Sequence, residues 1–189
     1  MSNIYFTSDH HFGHKNIIKY SKRPFESVDE MDETMIQRWN EKISPNDQVY
    51  HLGDIGLCDP GRLSSILERL NGSIYLIKGN HEKSALACRT RFEWIRDYYE
   101  LSIPDSEAAR GRQLIVLCHY AFRVWNVSHH GSYHLYGHSH GSLEDDPNAL
   151  SFDIGVDCHD FYPLSYEEVK AIMSTKNWEP PFKKDRKNE

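Results

Sequence analysis

Residues 73–82 read Ser73-Ile74-Tyr75-Leu76-Ile77-Lys78-Gly79-Asn80-His81-Glu82. The apolar, β-branched and aromatic run over 73–78 predicts a buried strand. It stops on a glycine and passes into side chains that bind metals and move protons. The same plan occurs twice upstream. Asn3-Ile4-Tyr5-Phe6-Thr7-Ser8 leads into Asp9-His10-His11, and a strand over 47–52, around Val49-Tyr50, leads into Gly53-Asp54. Helical patterns separate these strands. Ser27 is a predicted N-cap, with Glu30 completing a capping box, and Val28, Met31, Met35, Ile36, Trp39 and Ile43 follow at near-helical spacing. Asp59-Pro60 opens a second helix, with Leu63, Ile66, Leu67 and Leu70 on one face and Asn71-Gly72 as its expected left-handed end. Strand–helix–strand–helix–strand predicts α/β architecture with a partly parallel sheet.

The second half is patterned differently. Residues 98–103, 113–118, 133–136 and 150–156 read as strands with little room for helices between them. Pro104 to Arg112 is a polar connection. A last helix starts at Ser165, with Glu168 completing its capping box and Val169, Ile172 and Met173 turned inward. One domain over residues 1–176 is expected, followed by a polar, flexible tail over 177–189 that holds Pro180-Pro181 and Lys183-Lys184-Asp185-Arg186-Lys187.

The chain has 189 residues, 22 Lys plus Arg against 28 Asp plus Glu, and a net charge of −6. That balance argues against an extended nucleic-acid surface. No segment approaches the apolar length that spans a bilayer, and no leader pattern opens the chain, so a cytoplasmic location is expected. The four cysteines include no Cys-x-x-Cys pair, which disfavours a thiolate zinc site. The unusual count is 12 histidines. Histidine is the commonest metal ligand and titrates near neutral pH.

Several of those histidines follow strands. Asp9-x-His11 follows the first, Gly53-Asp54 the second and Gly79-Asn80-His81-Glu82 the third. His119 follows Leu114-Ile115-Val116-Leu117-Cys118, and Gly137-His138-Ser139-His140 follows Tyr133-His134-Leu135-Tyr136. In open α/β sheets ligands bind outside the carboxyl ends of strands. Residues two apart on an extended backbone share a side, so Asp9 with His11, and His138 with His140, are expected to converge. Singly, each block also reads as an ordinary turn. Their order and their strand-end placement together point to a metal centre.

The ordered set resembles the signature of the calcineurin-like metallophosphoesterases: Asp-x-His, Gly-Asp, Gly-Asn-His-Asp/Glu, a lone His, then Gly-His-x-His. The resemblance spans residues 9–140. It implies an α/β fold, a four-layer α/β/β/α sandwich of two facing mixed β-sheets flanked by helices. It also implies two divalent metal ions. Asp9, His11, Asp54 and His140 would hold the first, and Asp54, Asn80, His119 and His138 the second, with Asp54 bridging. Mixed imidazole and carboxylate ligands suit Mn2+, the favoured ion, as well as Fe, Zn, Ni or Co. The implied activity is hydrolysis of phosphate esters, with Asp54 and His81 as catalytic residues. His81 stands outside the ligand set and is the candidate to protonate the leaving oxygen or to stabilise the transition state.

One position departs from the common family pattern: Leu57 stands where many members carry an aspartate that pairs with the catalytic histidine. Asp59 or Glu82 is the candidate replacement. For the substrate, His10, His14, Asn16 and Arg23 follow the first block, and Arg123 with Trp125 follows His119. Arg23 has the planar fork for a phosphate. Asp157 and His159 are candidates to support the ligands from behind. His51 is expected to be a structural neighbour of Asp54, and His129, His130 and His134 to be loop or surface residues. A small, acidic, single-domain chain fits a phosphodiesterase acting on a small or nucleotide-type substrate. The alternatives are a phosphomonoesterase acting on nucleotides or sugar phosphates, and a non-catalytic metal-binding scaffold. The sequence does not fix the oligomeric state.

Overall fold

The computed structural model describes residues 2–108 and 110–181. Its first sheet has the order β4-β3-β2-β1-β9. Strands β1 (Ile4–Thr7), β2 (Gln48–His51), β3 (Ser73–Ile77) and β4 (Trp94–Arg96) run parallel, and β9 (Leu164–Ser165) closes the edge antiparallel to β1. The second sheet has the order β5-β6-β7-β8. Here β5 (Tyr98–Pro104) is antiparallel to β6 (Arg112–Cys118), while β7 (Tyr133–Tyr136) and β8 (Ser151–Asp153) continue parallel. Both sheets are mixed, they face each other, and helices flank them, as expected.

The period of two along the strands builds two cores. Tyr5 and Val49 join a cluster with α2 (Val28–Lys42) and α3 (Pro60–Leu67), through Met31, Met35, Trp39, Leu63 and Ile66. Their strand neighbours Phe6 and Tyr50 join the other cluster, where Leu101, Ile115, Leu117, Leu135 and Phe152 of the second sheet meet the first. Helix α5 (Tyr166–Ser174) adds Tyr166, Val169 and Met173 to that inter-sheet core. A strand buried on both faces needs no polar alternation, which is why β1 to β3 read as apolar runs.

The caps show how local sequence sets the helix starts. Ser27 accepts from the Glu30 amide at α2, and Asp59 accepts from the Arg62 amide at α3, with Pro60 in the first turn. Ser165 and Glu168 form the full capping box at α5. At α2 the box is displaced by one residue: the Glu30 carboxylate accepts from the Glu26 amide at 2.8 Å. Helix α3 ends at Leu67, before the expected Asn71-Gly72 stop. Gly72 is left-handed, φ +90°, and turns the chain into β3 instead. Two short helices, α1 (Lys15–Tyr20) and α4 (Lys83–Ala87), and the edge strands β4 and β9 went unpredicted. They are too short to carry a hydrophobic period. Of the expected tail, residues 182–189 lie outside the described residues, but Trp178 packs against the inter-sheet core and the Asn177 amide donates to Pro147 at 2.7 Å.

Candidate metal centre

The first three strands and β6 and β7 deliver the predicted blocks to one end of the two sheets. Asp9 lies fully buried there, with His11 and Asp54 nearly so. His11 Nε2 stands 3.9 Å from Asp9 Oδ1 and 3.6 Å from Asp54 Oδ2. His119 Nε2 lies 3.8 Å from the same Asp54 oxygen, and His140 Nε2 lies 3.9 Å from Asp9 Oδ1. Asn80 Oδ1 is 3.2 Å from His119 Nε2, and the His138 ring sits 5.1 Å from that of His119. All seven expected ligands therefore border one space. Two groups with converging ligand atoms stand out among them, Asp9 with His11 and His140, and Asp9 with Asp54 and His119.

The backbone achieves this convergence in a different way from the one expected. Asp9, His11, Asp54, His138 and His140 all adopt positive φ, between 48° and 67°. The paired ligands converge through left-handed turns, not along extended chain. Such conformations are uncommon outside glycine and persist where surrounding structure enforces them. Here hydrogen bonds do so. Asp9 Oδ2 accepts from Ser8 Oγ at 2.5 Å and from the His138 amide at 2.9 Å. Asp54 Oδ1 accepts from the His81 amide at 2.8 Å. The glycines fit the same crowding: a Cβ on Gly79 would collide with Asp54 Oδ1, and one on Gly137 with Ser8 and Asp9.

The electrostatics fit a cation. His119 Nδ1–H donates to the Leu52 carbonyl at 2.7 Å, which leaves the Nε2 lone pair directed at the Asn80 and Asp54 oxygens. His140 Nδ1–H donates to Asp157 at 2.7 Å and likewise turns Nε2 inward. Asp9 Oδ1 and both ring nitrogens of His11 are buried without a hydrogen-bond partner. Acceptors crowded against acceptors repel unless a positive charge lies between them. Burial pushes the Asp9 carboxyl up to about 7 and the His11 imidazole down to about 2. Burial also lowers His119, against the pull of Asp54. For His140 burial opposes protonation, but the Asp157 hydrogen bond and the Asp9 charge outweigh it and raise the pKa. Imidazole, carboxylate and amide oxygen together match a first-row divalent ion.

Asp157 supports His140 as anticipated, and it explains Arg23. The Arg23 guanidinium donates to both Asp157 oxygens at 2.8 Å and to the carbonyls of Asp9 and His10 at 2.7 Å. It is buried and clamps the ligand loops, so the expected phosphate grip is corrected to a positioning role. His159 Nε2 turns instead to the Asp153 carbonyl at 2.8 Å. His10 is fully buried, pairs with His51 at 2.9 Å and is no substrate residue. His134 is fully buried as well, against the expectation of a surface residue. Asn16 and Arg123 are exposed, and neither lines the cavity beside the ligands. Trp125 packs against the inter-sheet core.

His81 does line that cavity, its ring 5.8 Å from that of His11. Neither candidate carboxylate orients it. Asp59 caps α3. Glu82 turns inward, accepting from the Asp54 amide at 2.5 Å and the Gly79 amide at 3.0 Å, and burial pushes it up to about 7. Leu57 forms part of the cavity wall in place of the missing aspartate. The cavity measures about 720 Å³ and also contacts His14, Tyr20, Lys22 and Ser142. Tyr20 and Lys22 were missed because a lone tyrosine or lysine near a helix end carries no sequence signal for its exposure.

Residues 2–165 match the family of calcineurin-like phosphoesterases. An uncharacterized protein of Methanocaldococcus jannaschii is 32% identical over 92% of each chain. The gene 66 protein of Mycobacterium phage D29 is 28% identical, over 92% of this chain and 97% of its own. A protein of unknown function from Aquifex aeolicus has the same fold, with a TM-score of 0.71 at 24% identity, over 91% of this chain and 100% of that one.

Proposed function

The chain belongs to the calcineurin-like phosphoesterase family, and on that premise we propose that it is a binuclear phosphodiesterase acting on small or nucleotide-type substrates. The observation that supports this reading is Asp54 Oδ2, which faces His11 Nε2 at 3.6 Å on one side and His119 Nε2 at 3.8 Å on the other. Asp9, His11, Asp54 and His140 would hold one ion, and Asp54, Asn80, His119 and His138 the other. Mn2+ is favoured. Divalent ions at such a site supply Lewis-acid stabilisation of phosphoryl charge and make water acidic enough to attack.

The protein's own contribution is orientation and proton delivery. Asp157 and Arg23 fix the His140 ring and the loop after β1. The hydrogen bond from the His81 amide to Asp54 ties the candidate proton donor to the carboxylate that would serve both ions. The His81 imidazole, which reaches the cavity, would protonate the leaving-group oxygen. A cavity of about 720 Å³ suits a small ester better than a polymer. Monoester hydrolysis is the second reading, because it needs the same ligands.

The test is reconstitution with single metals, assayed on bis-p-nitrophenyl phosphate and p-nitrophenyl phosphate. Diester turnover above monoester turnover is expected. His81→Ala should keep its metal by elemental analysis and lose at least about 10²-fold in kcat. No turnover with any metal overturns the enzyme reading, and unchanged turnover in His81→Ala overturns its role.

A further inference from the structure

The cavity beside the ligands is lined by polar groups, among them Ser139, His140 and Ser142, and by the apolar groups of Ile17, Tyr20 and Leu57. Ile17 is buried, whereas Tyr20 is 69% exposed. An aromatic ring this open leaves a face accessible to a flat partner. Its place relative to the ligands is set by a chain of rings. Tyr20 meets His14 edge-on at 6.3 Å between centroids, and His14 meets His11 at 5.4 Å. Lys22 stands two residues further on, exposed and left-handed at φ 52°, and forms no ion pair among the described residues. A positive φ at a lysine is held by its surroundings, here the inward-turned Arg23 next to it.

We propose that Tyr20 is the stacking platform for the base of a nucleotide-type ester whose phosphate lies at the ligand cluster, with Lys22 at the rim to meet a further negative charge. The inference rests on the phosphoesterase reading and names the part of the substrate that the metal ligands do not touch. A flat ring fits because stacking on tyrosine tolerates any base. Leu57 contributes an apolar group to the same cavity, where an aspartate would place a charge. The other exposed tyrosine near the ligands, Tyr120, packs edge-on against His119 and His138 at 5.0 and 4.9 Å and does not line the cavity.

The experiment compares two diesters with the same leaving group, thymidine 5′-p-nitrophenyl phosphate and methyl p-nitrophenyl phosphate. Chemistry at phosphorus is matched, so the ratio of their kcat/KM values reports recognition of the nucleoside. The thymidine ester should be preferred by about tenfold or more, as one stacked base supplies. Tyr20→Leu should abolish most of that ratio, and Tyr20→Phe should retain it. Calorimetric binding of thymidine 5′-monophosphate to the same proteins should weaken about tenfold in Tyr20→Leu alone. An unchanged ratio and unchanged binding in Tyr20→Leu, or a loss seen only in Tyr120→Leu, overturns the platform. Absence of turnover on both esters counts against the phosphoesterase reading, while the calorimetry still decides the role of Tyr20.

Discussion

His119, at the end of β6, and His134, inside β7, begin from the same position. Both are fully buried, and both donate through Nδ1 to a main-chain carbonyl, Leu52 at 2.7 Å for one and Val116 at 3.0 Å for the other. They differ at the second nitrogen. His134 Nε2 accepts from the Phe122 amide at 3.0 Å, and the rings of Phe122 and Trp125 lie 4.9 and 5.4 Å away. His119 Nε2 faces only oxygens. A buried histidine is thus a packing residue when both nitrogens are satisfied within the protein, and a ligand candidate when one is aimed at other acceptors. Burial and residue type do not separate the two cases.

That contrast can be broken by exchange of fates. His119→Ala removes a nitrogen from the centre and should lower metal stoichiometry, with a loss in kcat above about 10²-fold, since even a residue behind a ligand is worth 10- to 100-fold. Elemental analysis and steady-state kinetics check it. His134→Leu should leave metal content intact and act on stability instead. It strands the Phe122 amide, a cost of about 1–3 kcal/mol, visible in thermal denaturation as a fall of a few degrees. Metal loss in His134→Leu with none in His119→Ala would reverse the comparison.

The smallest effect concerns acid. Burial lowers His51 to about 3 and His134 below its usual range. A folded-state pKa below the unfolded value of about 6.5 means that the neutral histidine contributes stability above pH 6.5. That contribution fades as pH falls from about 6.5 to about 3. The stability difference between wild type and His51→Asn, followed by melting of the metal-free proteins, should therefore narrow across that window. Asp9 and Glu82, pushed up by burial, act in the opposite direction in both proteins and cancel in the difference. A gap that widens on acidification would mean that His51 is charged in the folded state.

The candidate ligand blocks stood out in the sequence because each directly follows an apolar strand, and strand ends of an α/β sheet gather ligands. Arg23 was not. Its guanidinium suits a phosphate and a carboxylate equally well, and only the fold shows Asp157, 134 residues away in sequence, occupying it. The orientation of Glu82 toward the Asp54 amide, and not toward His81, was equally invisible.

Local chemistry determined the strands, the caps at Ser27, Asp59 and Ser165, and the order of metal-capable residues along the chain, because these depend on side-chain type and on neighbours a few positions away. Tertiary structure decided which nitrogen of each histidine is open, which residues hold left-handed backbone at the ligand turns, and which side chains border the cavity. Those are properties of contacts between segments far apart in sequence, where a one-turn change of direction moves a residue from ligand to core.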